Sequence, residues 1–146
     1  MRWVICFCAS DNVGPWRLFT THRPGFSHVF AVRYDPEADV WVRLDFASEK
    51  FHCDVLKSED ATDLICALKE FCTCIEYESQ ENCMYLPKGM YCVSFIKHLI
   101  GLRLFWLVTP YQLYCELLKL GATPIFEREV EEKNHGQFIQ STQAAG

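Results

Sequence analysis

Apolar and polar positions alternate along this chain in ways that separate strands from helices. Trp3 to Cys8 is an unbroken apolar run of strand length, the pattern of a strand buried on both faces. Ser27 to Tyr34 is rich in β-branched and aromatic residues, and Asp35-Pro36-Glu37-Ala38-Asp39 is turn chemistry. From Val40 to Phe46, Val40, Val42 and Leu44 alternate with Trp41, Arg43 and Asp45. The two runs predict a hairpin folded about Glu37, with position 28 opposite position 46, give or take one residue. Phe51 to Leu56 predicts a third strand of the same meander, Thr73 to Glu78 another, and Met84-Tyr85-Leu86 a short one before the tight connection Pro87-Lys88-Gly89.

Helical spacing appears in three places. Ser58 is placed to cap a helix whose stripe is Leu64, Ile65, Leu68 and Phe71, with Glu59 and Asp60 at the positive end of its dipole. A second helix runs from about Tyr91 to Ile100 and stops at Gly101. For the third, Thr109 is the expected N-cap, Pro110 the first helical residue and Gln112 the partner in a capping box. Leu113, Leu117 and Leu120 would be its buried side, and Gly121 its end. The whole predicts an α+β domain over residues 1–124, an antiparallel meander packed against helices, followed by an acidic and polar tail over 125–146.

Composition narrows the function classes. The 146 residues suit one core, and 21 aromatics exclude a disordered chain. The net charge of −5 argues against a nucleic-acid binder; it falls in residues 51–146, because residues 1–50 carry six basic and six acidic residues. No apolar run reaches the ~18 residues of a membrane span. The N-terminus faintly resembles a signal peptide, but an apolar stretch of about seven residues is at the lower limit for one, and the buried-strand reading is preferred. Nine cysteines, an odd number, cannot pair completely within one chain. The reading is a reduced protein in which Cys6, Cys8, Cys66, Cys72, Cys74 and Cys115 are core or near-core thiols, while Cys53 and Cys83 stay unassigned. Cys6-x-Cys8 and Cys72-x-Cys74 lack the knuckle spacing of zinc sites, so no metal is expected. Gly14 and Gly25 stand alone rather than in a phosphate loop, so no cofactor is expected.

Three residues combine chemistry with placement. Cys92 opens a helix after a glycine-containing turn, where backbone N–H groups stabilise a thiolate. His28 starts a strand, and Asp45 lies on the neighbouring one. A thiol nucleophile needs a base, and the base needs an acceptor that fixes its tautomer. Each has a plainer reading: Cys92 as a core thiol, His28 as a backbone partner, Asp45 as a neighbour of Arg43 with Asp39 as the competing carboxylate. His98 is expected on the helix surface. Trp16, Phe26 and Trp41 could line an acyl pocket or simply pack, and Trp16 or His22 could assist an oxyanion held by the Cys92 N–H.

The strings Ser27-His28-Val29-Phe30-Ala31-Val32, Val42-Arg43-Leu44-Asp45 and Tyr91-Cys92-Val93-Ser94-Phe95-Ile96-Lys97 carry a resemblance. Their order resembles the circularly permuted papain-like hydrolases, which include permuted NlpC-type amidases and the lecithin:retinol acyltransferase group. Tyr91 stands where that group usually has Asn. The run Cys92 to Lys97, then Gly101, then Thr109 to Leu113, is also similar to small tailed-phage proteins. The resemblance spans roughly residues 26–121. It implies a permuted papain-like fold and a thiol hydrolase or acyltransferase acting on an amide, peptide or ester, with cell-wall peptide as one such substrate. Cys92 would be nucleophile, His28 base and Asp45 orienter. It further implies a phage protein located in the cytoplasm of an infected bacterium or in the virion. The competing class is a non-catalytic virion structural or interaction protein on the same scaffold, with a virion or host protein as partner.

Overall fold

The computed structural model describes residues 1–9, 23–47, 50–79 and 91–126. Six strands form one antiparallel sheet: β1 (Arg2–Cys8), β2 (His28–Asp35), β3 (Val40–Ala47), β4 (Lys50–Lys57), β5 (Cys72–Glu78) and β6 (Thr123–Phe126). Their order across the sheet is β4-β3-β2-β1-β5-β6. Three helices accompany it: α1 (Ala61–Phe71), α2 (Cys92–Leu99) and α3 (Pro110–Lys119). The fold is α+β.

The apolar run of β1 is explained by its central position, paired with β2 on one side and β5 on the other. Its side chains therefore enter two cores. Trp3, Ile5 and Phe7 join Val29, Ala31 and Ile75 beneath α2 and α3, packed against Val93, Ile96, Leu113 and Leu117. On the opposite face Cys6 joins Phe30, Val32, Cys72, Cys74 and Leu68 of α1. Full burial of each such aliphatic or aromatic side chain contributes about 1.5–3 kcal/mol.

The β2–β3 turn sets the register that the site depends on. Asp35 Oδ1 accepts from the N–H groups of Glu37 at 3.0 Å and Ala38 at 3.3 Å, and Tyr34 Oη donates to Asp39 at 2.7 Å. Asp39 adopts positive φ, which Asp tolerates better than most residues. Asp35 pairs with Val40 and Ala31 with Leu44. Continuing that pairing sets His28 opposite Ala47, one step from the centre of the expected register.

The capping of α3 is as the sequence predicts. Thr109 Oγ1 accepts from Gln112 N–H at 3.2 Å, and Gln112 Oε1 accepts from Thr109 N–H at 3.1 Å. Gly101 and Gly121 take positive φ just past α2 and α3.

Several expectations are corrected. Ser58 does not cap α1; residues 58–60 form a 3₁₀ turn and the helix begins at Ala61. Phe71 and Leu120 are exposed, because each stands at the end of its helix, where the stripe runs past the sheet. Cys66 is exposed as well, on the side of α1 away from Leu64 and Leu68. Residues 125 and 126, expected in the tail, belong to the sheet. Residues Thr123–Phe126 form β6, with Phe126 opposite Cys74. Proline has no N–H to donate, so it suits an edge strand and disguises one in a sequence. The expected strand at 84–86, the connection at 87–89, Trp16, His22, Cys83 and the tail from 127 onward lie outside the described residues.

Candidate active site

His28 opens β2, opposite Cys8 of β1. Asp45 lies on β3 two residues before the position facing His28. The two side chains are therefore diagonal neighbours on one face. His28 Nε2 and Asp45 Oδ1 are 2.7 Å apart, and both residues are buried, 9 % and 5 % exposed. Asp45 Oδ2 accepts from the Arg43 guanidinium at 2.8 Å. Phe30 supports the group: the His28 ring stacks on it with centroids 6.4 Å apart, and Arg43 lies 4.8 Å from its ring centroid.

The other side of His28 meets Cys92. The Cys92 thiol lies close enough to the imidazole to help hold its proton. With Nε2 turned to Asp45, Nδ1 is the nitrogen left to face the sulfur. Cys92 is half-buried at the first position of α2. Tyr91 is not a capping residue of the Ser, Thr, Asp or Asn kind, and Ser94 closes the turn instead. Its Oγ accepts from Tyr91 N–H at 2.8 Å and donates to Tyr91 C=O at 2.9 Å. The first-turn N–H groups of α2 have no partner within the helix itself.

The electrostatics follow from these contacts. Burial alone would lower the His28 pKa, but the bond to Asp45 and then the nearby Cys92 outweigh it and raise the value from 6.5 to about 10. Burial would likewise raise the Asp45 carboxyl; His28 and Arg43 instead hold it below its ordinary value. At neutral pH the protonated ring can donate from both nitrogens, one to the carboxylate and one toward the sulfur.

The structure thus brings Cys92, His28 and Asp45 together. It also shows that the plainer reading of Asp45 is true at the same time, since Arg43 and His28 share its carboxylate. Asp39 is engaged by Tyr34 at the turn. His98 is half-buried in the last turn of α2, with its pKa lowered by burial and by Lys97. Phe26 packs among Phe7, Tyr111 and Tyr114, and Trp41 against Tyr34. Both are packing residues here.

One arrangement escaped the sequence reading. Cys6 pairs opposite Cys74, and Cys8 opposite Cys72. The four thiols form one row across β1 and β5 in the order Cys6, Cys74, Cys72, Cys8. One neighbouring thiol in each case (Cys72 for Cys8, Cys74 for Cys72, Cys6 for Cys74), together with burial, pushes Cys8 and Cys74 up and Cys72 up to about 12. The x-spaced pairs were visible in the sequence, but their opposition depends on the register of two strands far apart in the chain. Among the described residues, no group of three or more His, Cys, Asp or Glu side chains could hold a metal ion.

Compared with protein-family models, curated proteins and solved structures, the chain matches none. The described residues define an α+β fold with one six-stranded antiparallel sheet, three helices and a Cys–His–Asp cluster. No helix among the described residues is long and apolar enough to cross a membrane.

Proposed function

We propose that this chain is a cysteine hydrolase or acyl-transfer enzyme acting on an amide or peptide bond, built on a circularly permuted papain-like scaffold. The observation that carries the reading is the buried His28, hydrogen-bonded to Asp45 and with the Cys92 thiol near enough to help raise its pKa. In the proposed reaction the Cys92 sulfur attacks the substrate carbonyl carbon, its proton residing on His28 Nδ1. The oxyanion is held by backbone N–H groups at the start of α2. Collapse breaks the C–N bond, and the amine leaves with the proton from His28. Water then adds to the thioester, giving up a proton to His28, and the C–S bond breaks, releasing the acid and restoring the Cys92 thiolate beside protonated His28. Asp45 holds the ring's orientation and favours its charged form throughout.

Cell-wall peptide as substrate, and a phage setting in the host cytoplasm or virion, rest on the sequence resemblance alone. The test is labelling with an acylating, thiol-directed activity probe. Wild type should label at Cys92, and both Cys92→Ala and His28→Ala should lose it. Equal labelling of wild type and Cys92→Ala would overturn the reading. A virion structural protein would instead copurify with particles in stoichiometric amount and would not label at this site.

A further inference from the structure

The two edges of the sheet are unlike. β6 is four residues long and carries Pro124, a combination that blocks pairing with another strand. β4 is eight residues long, and all of it is exposed except the half-buried Leu56. On one face it presents Phe51, Cys53 and Val55, which continue the β3 row of Phe46, Leu44 and Val42. Phe51 and Val55 are 51 % and 62 % exposed. On the other face it presents Lys50, His52, Asp54 and Leu56.

We propose that the outer edge of β4, unpaired among the described residues, pairs antiparallel with β4 of a second copy of this chain, centred on Cys53, so that two six-stranded sheets join into one. The argument is symmetry together with charge. Joining identical strands into a continuous antiparallel sheet requires a two-fold axis through a residue facing its own copy. Centred on Cys53, Phe51 faces the partner's Val55, Cys53 faces the partner's Cys53, and the apolar rows of both copies become continuous. On the opposite face His52 lies across from the partner's Asp54, twice over. Lys50 lies across from the partner's Leu56, which its methylene stem can cover. The neighbouring registers fail. Centring on Asp54 sets two carboxylates face to face and Phe51 against the partner's Lys57. Centring on His52 opposes two imidazoles and leaves Val55 and Leu56 outside the paired segment. The charges that guard an edge against indiscriminate pairing thus select one register. Asp54 already lies 3.9 Å from Arg43, so the partner's His52 would join that pair. Such an interface is at the small end of stable ones, so the dimer should dissociate on dilution.

The test uses the full chain in excess reductant, with mass measured by light scattering and sedimentation across a dilution series. The expected particle has twice the 17.0 kDa chain mass at high concentration, halving on dilution. Val55→Lys and His52→Asp should each yield monomer with an unchanged circular dichroism spectrum. The exchange His52→Asp with Asp54→His should restore the dimer, because it swaps the charges without changing the register. After reductant is removed, diamide should link two copies: each Cys53 gives up its thiol hydrogen, the diazene is reduced to its hydrazine, and one S–S bond forms. Cys53→Ser should abolish that link, and Cys66→Ser, at the other exposed described thiol, should keep it. Monomer at every concentration, a dimer indifferent to Val55→Lys, or a cross-link that survives Cys53→Ser would overturn the proposal.

Discussion

Two thiols flank His28, and their surroundings treat them in opposite ways. Cys8 faces His28 across the β1–β2 pairing, yet its thiol is held protonated by the neighbouring Cys72 thiol and by burial; the charge of His28 opposes this and loses. Cys92 meets the same imidazole from the half-buried start of α2. Closeness to a base is therefore not enough to loosen a thiol's proton. What separates the two is the rest of the shell: neutral thiols and strand packing around Cys8, a helix start around Cys92.

The largest effect should come from testing the two thiols directly. With limiting iodoacetamide and peptide mapping at pH 7.5, Cys92 should alkylate orders of magnitude faster than Cys8, Cys72 or Cys74. The slower thiols should become reactive only on unfolding. Comparable rates for Cys8 and Cys92 in the folded protein would erase the distinction. His28→Ala should slow Cys92 and leave the other three unchanged.

Next in size is Asp45→Ala, which strands a buried imidazole and the Arg43 guanidinium. Loss of about 3 kcal/mol is expected in denaturant unfolding. The milder Asp45→Asn keeps the shape and reads out the electrostatics. In wild type the folded His28 pKa, about 10, lies above its ordinary 6.5. Its contribution to stability is thus complete below pH 6.5 and is lost as pH rises through about 10. Asp45 has a depressed pKa, so its share is present above its ordinary 3.8 and is lost on acidification below that. The ring ¹⁵N shifts of His28 should report imidazolium at pH 7.5 in wild type. In Asp45→Asn the titration should move down, because burial then has less to oppose it. A His28 that titrates near 6.5 in wild type would refute the assigned electrostatics.

A smaller effect separates the cysteine row from the site. Cys74 is fully buried, so Cys74→Ala should cost about 1 kcal/mol for its lost contacts. Cys74→Ser should cost more, about 1–3 kcal/mol, because a hydroxyl is buried there. Neither should change labelling of Cys92. If Cys74→Ala reduced that labelling as strongly as His28→Ala, the row and the site could not be treated as separate.

What could be read from the sequence was local. Turn chemistry at residues 35–39 fixed the hairpin and brought Asp45 within reach of His28. Thr109, Pro110 and Gln112 are contiguous cap signals, and Gly101 and Gly121 mark helix ends wherever the helices pack. What stayed hidden was non-local or masked by residue type. The facing of Cys6 with Cys74 depends on a pairing between strands some seventy positions apart. β6 was concealed by Pro124, which only an edge tolerates. Phe71 and Leu120 fit their helical stripes by period, but burial also requires that the helix still lie over the sheet at that turn. The approach of Cys92 to His28 brings a helix start to a strand start, and no spacing rule encodes it.

Arg43 gives the finest division between support and chemistry, and the smallest expected effect. Its NH2 bonds to Asp45 Oδ2, the oxygen turned away from His28, while its Nε is buried without a hydrogen-bond partner. The side chain is about one-third exposed, so solvent screens much of the pair, and Arg43→Gln should cost no more than about 1 kcal/mol. Asp45 Oδ1 would still hold His28. The His28 titration should therefore shift much less in Arg43→Gln than in Asp45→Asn, and Cys92 alkylation should keep its lead over Cys8. A shift as large as that of Asp45→Asn would mean that Arg43, rather than the strand register, aims the carboxylate. Arg43 would then be a positioning residue of the site, acting through Asp45.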